Sequence, residues 1–81
     1  MWYIYILLCS DNSLYTGSTN DISKRFLAHQ NGKGAAYTRS HKPLKVIHQE
    51  EFKTKSEALK REIKIKRWSR AKKIKTFKLN I

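Results

Sequence analysis

With Cys9 as its only cysteine, the chain cannot form an internal disulfide, which suits a reducing compartment. Cys9 reads as a small buried residue at a strand end and not as a nucleophile. One cysteine and three scattered histidines also lack the ligand spacing of a zinc site. The three glycines form no phosphate-cradling loop of the P-loop type. The longest apolar run, Met1 to Cys9, falls well short of the roughly 20 residues that span a membrane, and no basic segment precedes it. It is a strand candidate, not a signal or an anchor, and the expected location is cytoplasmic. Acid is scarce beside base: six Asp and Glu stand against eighteen Lys and Arg.

What is present is a net charge of +12, unevenly spread. No Lys or Arg occurs before Lys24, whereas Lys53 to Lys78 holds twelve. Such a basic half binds phosphate backbones by releasing condensed counterions, without reading sequence. Anionic membranes and acidic proteins are the competing partners. Forty per cent apolar residues and nine aromatics argue for a folded chain. Residues 1–81 are expected to form a single small domain with a thin core.

Trp2 to Cys9, rich in Tyr and Ile, reads as a strand buried on both faces. Ser10 to Ser13 is a turn cluster, and Leu14 to Ser18 returns as the second strand of a hairpin. Gly17 allows a positive φ or a close backbone approach. Asn20 and Asp21 offer N-caps for a helix over Ile22 to Gln30, with Ile22 and Phe26 as its buried stripe and Arg25 and His29 sharing one edge beside it. Asn31 to Gly34 stops that helix, and Ala35 to Lys42 reads as a loop. Pro43 is excluded from a central strand, and Leu44 to Phe52 is the third strand. Thr54 to Glu57 makes a capping box for a helix running to about Trp68. Ser69 caps a last helix, Arg70 to about Lys78, which docks through Ile74 and Phe77. The order β-β-α-β-α-α predicts an α/β sandwich around a small mixed or antiparallel sheet.

The most informative position is Glu62. Ala58, Leu59, Ile63 and Ile65 fall on one arc of the basic helix, and Glu62 projects from near its centre. A carboxylate there must meet a cation, a hydrogen-bond network or water in a cleft, because an unpaired buried charge is costly. In so basic a chain this suggests a metal site facing a polyanion. Phosphodiester hydrolysis needs charge neutralisation, an activated water and a stabilised leaving oxygen. Glu62 can hold Mg²⁺, which commonly takes one or two carboxylates and several waters. Arg25 can clamp a phosphate, and Tyr5, Tyr15 and His29 can orient or deprotonate water. No second acid suits a two-metal site, since Asp11 and Asp21 read as turn and cap residues. Arg39, Lys64, Lys66, Arg67, Arg70, Lys72 and Lys73 are the candidates for backbone contact. Taken singly, each residue has a plain structural use: Glu62 pairing with Lys66 or Arg25, the tyrosines packing, Arg25 solvated, His29 at a core edge, Trp68 anchoring the core. Patterning alone supports nucleic-acid binding more firmly than it supports chemistry.

Taken together, the residues resemble a known family. Tyr3-Ile4-Tyr5, with Tyr15-Thr16-Gly17 following, is similar to the paired tyrosine motif of the GIY-YIG nuclease superfamily. The continuation Gly17 to His29, the helix bearing Glu62, and the loop Gly32 to Arg39 are similar too, most closely to small stand-alone bacterial members and to the nuclease subunit of Slx-type endonucleases. Tyr3 stands where the first motif has glycine, and Thr16 where the second has isoleucine. The resemblance implies a three-stranded antiparallel sheet flanked by helices and cleavage of DNA that depends on a divalent metal, Mg²⁺ or Mn²⁺. It implies that Tyr5 and Tyr15 position or activate water, that Arg25 stabilises the phosphoryl transition state, that His29 lies at the site and that Glu62 binds the metal.

The expected function is therefore a nuclease on DNA, endo- or exonucleolytic, acting on branched or damaged substrates in repair or recombination. The alternative is a nuclease-like module that binds DNA or RNA without cutting it. A basic helix on an anionic membrane is a weaker third reading, because the terminal helix lacks a strong apolar face.

Overall fold

In the computed structural model, which describes residues 1–81, the apolar opening becomes β1 (Trp2–Cys9), and β2 (Leu14–Thr19) returns beside it. Helices α1 (Ile22–Gln30) and α2 (Ala36–Ser40) precede β3 (Pro43–Phe52), and α3 (Lys55–Lys66) and α4 (Arg70–Phe77) close the chain. The sheet is antiparallel with order β2-β1-β3, so the apolar strand is central and Pro43 starts an edge strand, where its missing N–H costs nothing. The turn forms as its residues dictate. Asp11 accepts the Ser13 N–H and hydroxyl, and Asn12 takes a left-handed φ of 69°. The segment expected as loop between Ala35 and Lys42 contains one short helix, α2.

Each remaining helix starts where its cap demands. Asp21 accepts the Lys24 N–H, Thr54 that of Glu57 and Ser69 that of Lys72. α3 ends at Lys66, two residues short of the expected Trp68, and Trp68 lies in the link to α4.

Alternation along β1 divides the molecule. Ile4 and Ile6 form the core with Ala58 and Ile65 of α3, and Trp2, Phe52, Ile47, Trp68 and Phe77 pack around it. Tyr5 points the other way, towards α1. The buried arc of α3 differs from the one expected: Leu59 and Ile63 are exposed, at 38% and 55%. Ala58, Arg61, Glu62 and Ile65, spaced as successive turns of one helix face, are the residues turned inward. Two of those four are charged, and each has a partner. Arg61 grips Glu50 of β3 through two bonds of 2.9 and 3.2 Å, and His48 adds a third at 2.9 Å. Burial pushes the Glu50 carboxyl up, but these donors outweigh it and hold the group below the usual range. Arg61 also covers the Trp68 and Phe77 rings, so α3, α4 and β3 lock together at one place.

Lys73, not Ile74, is the buried residue of α4, and Phe77 rather than Ile74 meets the core. No helix is long and apolar enough to cross a membrane.

One buried polar atom is orphaned. The Thr16 hydroxyl, on the α3 side of β2 opposite Ile6, has no hydrogen-bond partner. Thr16→Val keeps the shape and removes the unsatisfied group. It should raise stability by about 1 kcal/mol, or roughly 5 °C in Tm for a domain of this size. A urea or thermal melt showing no gain would mean that the hydroxyl is satisfied in solution.

Candidate active site at the edge of β2

Tyr5 is 2% exposed, in the central strand, and its phenol needs a partner there. The ring can swing to the sheet edge only because its neighbour on β2 is Gly17, where any Cβ would collide with the phenol oxygen and Cζ. Gly17 therefore serves a close approach, and no positive φ is involved. The phenol oxygen lies 2.8 Å from His29 Nε2. His29 sits in the last turn of α1 and is the one fully buried residue of that helix; Ile22 and Phe26 are half-buried. Its other nitrogen, Nδ1, is 2.7 Å from the Thr38 hydroxyl oxygen, and that hydroxyl donates its proton to the Ala35 carbonyl. Thr38 can then only accept from His29. The proton of a neutral imidazole is thereby placed on Nδ1, Nε2 is bare, and the Tyr5 hydroxyl donates to it. Gly34 lies flat against the His29 ring, where a Cβ would strike Nδ1 and its neighbours. The turn glycine and the short helix α2 thus hold the back of the histidine.

Arg25, one turn before His29 on α1, stands beside the Tyr5 phenol. Burial pushes that phenol up to about 12, against the opposing pull of Arg25, with smaller upward contributions from Tyr15 and Glu62. Burial, aided by the Arg25 charge, pushes His29 down from its ordinary value. Both groups of the pair are therefore neutral near pH 7. Arg25 and Lys24 also line an open hollow of about 230 Å³ at the start of α1.

Tyr15 joins this cluster on the same face. Its ring is 6.4 Å from that of Tyr5, 5.2 Å from the His29 imidazole, and stacked on Tyr37 at 5.8 Å. Tyr37 stacks in turn on His41. Next along β2, Ser18 faces the opposite side of the sheet, towards α3. Its hydroxyl donates to Glu62 Oε1 at 2.5 Å, and Lys66 Nζ lies 2.8 Å from Oε2 and 5.5 Å over the Tyr15 ring. Lys66 therefore bridges the two faces around the free edge of β2. Tyr5, Tyr15, Arg25, His29 and Glu62 form one neighbourhood, assembled from β1, β2, α1 and α3.

The basic residues divide differently. Arg39, Lys64 and Arg67 are exposed; Arg70 bonds the Asn12 carbonyl, and Lys72 lies over Trp68. Lys73 departs from the expected solvated face. It is 9% exposed, and burial together with the nearby Lys66 charge pushes its ammonium down. Ser18, Gly34 and Lys66's contact with Tyr15 were not legible as site features. Thr38 and Gly34, in the loop Gly32 to Arg39, and Ser18, in the stretch Gly17 to His29, are marked in the sequence only by the resemblance of those stretches.

Glu62 suits a hard divalent ion. No cluster of three or more acidic, histidine or cysteine side chains exists, so an ion would take one carboxylate and otherwise water, as Mg²⁺ tolerates. Ser18 anchors one carboxylate oxygen, and the other already faces a cation, the Lys66 ammonium.

A three-stranded antiparallel sheet with a paired-tyrosine edge and a glutamate on the covering helix defines a class of domain. Residues 1–75 match the family described as the GIY-YIG catalytic domain, and the chain belongs to it. It is similar to a UPF0213 protein of Staphylococcus saprophyticus, 58% identical over 73 residues that cover 90% of this chain and 89% of that protein. A UPF0213 protein of Cupriavidus pinatubonensis is also 58% identical, over 90% of this chain and 81% of its own length. Among solved structures, the solution NMR structure of a UPF0213 protein from Bacillus halodurans superposes with a TM-score of 0.61 at 42% identity, covering 96% of this chain and 84% of that one. The solution NMR structure of an E. faecalis protein gives 0.60 at 41%, over 98% and 88%.

The hydrogen-bond row carries its own test. Long-range ¹H–¹⁵N spectra should show His29 as the Nδ1–H tautomer, titrating below the ordinary value of about 6.5. Because its folded value is depressed, the unfolded chain takes up the proton first on acidification. The stability His29 contributes is present above the unfolded value and is lost as pH falls through the folded one. Thr38→Val strands the Nδ1–H and should cost about 1–2 kcal/mol. An Nε2–H tautomer in the parent protein would contradict the assignment.

Proposed function

We propose that this chain is a divalent-metal-dependent nuclease that hydrolyses phosphodiester bonds in DNA, with Tyr5 and His29 as its proton-transfer pair. The observation that carries this is the Tyr5–His29–Thr38 row lying beside Arg25 and reaching Glu62 through Lys66 and Tyr15. With a phenol pushed up to about 12, Tyr5 is not a ready-made phenolate. It works instead as a relay. As the water oxygen bonds to phosphorus and the bond from phosphorus to the leaving oxygen breaks, the water gives a proton to the Tyr5 oxygen, the Tyr5 proton passes to His29 Nε2, and the departing oxygen takes up a proton from solvent. The product imidazolium keeps its Nδ1–H on Thr38, so nothing need reorganise behind it.

Arg25 takes up the charge that develops on the non-bridging oxygens. It also adds to the effect of burial in weakening His29 as a base. Its charge helps to depress His29, and a phosphate paired with Arg25 cancels that influence, so His29 becomes a better base once substrate is in place. Tyr15 walls the cluster and positions the water with Tyr5. Glu62, anchored by Ser18, would hold the divalent ion, which when bound supplies Lewis-acid stabilisation of phosphate and leaving oxygen. Arg39, Lys64, Arg67, Arg70 and Lys72 supply the salt-sensitive backbone attraction.

Branched and linear DNA incubated with the protein and Mg²⁺ or Mn²⁺ should be cleaved. Tyr5→Phe, Arg25→Ala and Glu62→Ala should each lower the rate by roughly a hundredfold or more. Variants as fast as the parent would remove these residues from the chemistry. The non-cutting alternative draws on one feature, the neutralisation of Glu62 by Lys66. It requires salt-sensitive binding of DNA or RNA, no metal dependence and no products.

A further inference from the structure

Lys66 is the last residue of α3, one turn beyond Glu62. Its side chain is 46% exposed, whereas that of Glu62 is 15% exposed. Ser18 occupies Glu62 Oε1, so Oε2, at 2.8 Å from Lys66 Nζ, is the oxygen left to a metal. Lys73 is buried nearby, and its ammonium and that of Lys66 repel each other. The Glu62 carboxylate is thus already neutralised by Lys66, close to a second ammonium. A divalent ion added there would meet excess positive charge unless Lys66 left or an anion arrived. A helical pair one turn apart and this exposed is weak and readily exchanged. Lys66 also reaches over the Tyr15 ring, towards the face where Tyr5 and Arg25 would meet a phosphate.

The geometry points to Lys66 as an internal counter-ion. In the free protein it occupies the metal-facing oxygen of Glu62, and it moves to a backbone phosphate when nucleic acid binds, so metal and nucleic acid bind cooperatively. This rests on the reading of Glu62 as the metal ligand. A phosphate draws Lys66 away and opens Oε2; a metal at Oε2 releases Lys66 to the phosphate. By linkage the two effects are equal in size. The protein without nucleic acid is then guarded against holding a metal at its site, and an ion is seated chiefly when substrate is present.

Mn²⁺ binding to the DNA-free protein, followed by calorimetry and by the EPR signal of free Mn²⁺, tests this without any activity measurement. Lys66→Met, which keeps the helix and the stem, should bind Mn²⁺ about tenfold more tightly than the parent, within the range usual for coupled sites. Lys66→Arg keeps the cation and should stay as weak as the parent. In anisotropy measurements with a labelled duplex, Mn²⁺ should tighten DNA binding by the parent and do so far less for Lys66→Met. Glu62→Gln should abolish Mn²⁺ binding in every background. If Glu62→Gln abolishes it while Lys66→Met and the parent bind equally, the counter-ion role is overturned and the metal ligand stands. If Mn²⁺ binding survives Glu62→Gln, the metal assignment falls and the counter-ion role falls with it.

Discussion

A phenol buried in the central strand is the constraint on which the rest of this structure turns. Tyr5 is only 2% exposed, so its hydroxyl has lost most of its hydration and needs a partner within the fold. His29 is that partner, and satisfying His29 in turn recruits Thr38 and the Ala35 carbonyl. The chain of needs explains local features that otherwise look unrelated. Gly17 has no side chain because the Tyr5 ring crosses it, and Gly34 has none because the His29 ring lies against it. α2, a single short helix, presents the Thr38 hydroxyl, and the row ties α1 and α2 to the central strand.

On the other side of the sheet the governing quantity is scarce negative charge. Of the six acidic residues, Asp11, Asp21, Glu50, Glu57 and Glu62 all hold hydrogen bonds within the fold. Asp11, Asp21 and Glu57 satisfy turns and helix starts, and Glu50 fastens α3 to β3. Glu62 is the one linked, through Lys66, to the tyrosine cluster around the β2 edge. With twelve basic residues between Lys53 and Lys78, a carboxylate on this surface cannot stay unpaired, and Lys66 is the cation within reach. The buried face of α3 therefore carries Arg61 and Glu62 among apolar residues, one serving stability and the other the site.

How much of this is legible in the sequence depends on the range of the interaction. Caps and turns are local, which is why Asp21, Thr54, Ser69 and the Asp11–Asn12 turn begin and end elements where their chemistry requires. The buried arc of α3 is not local. Apolarity favours Leu59 and Ile63, yet both are exposed, because Arg61 and Glu62 have partners on β3 and β2 and claim the inward positions. Lys73 escapes a charge-pattern reading for the same reason: its burial depends on neighbours that only the packed chain supplies. Five site residues stand out by type and by resemblance. Lys66 stands out as a partner for Glu62 and as a backbone contact, but not as a bridge to Tyr15; Ser18, Thr38 and Gly34 lie within stretches that carry the resemblance, but their partners appear only in the fold.

The order of strands and helices, the helix starts, the basic second half and the membership of Tyr5, Tyr15, Arg25, His29 and Glu62 in one motif set belong to the sequence by itself. The motif set follows from the family resemblance; the others follow from periodicity, capping and composition, which act between near neighbours or sum over the whole chain. The tertiary structure alone decided that Tyr5 donates to a neutral His29, that Gly17 and Gly34 are needed for ring contact, and that Lys66 bridges Glu62 to Tyr15 around the β2 edge. Hydrogen-bond direction and ion pairing depend on distances of about 3 Å between residues far apart in the chain, and only folding brings such residues together.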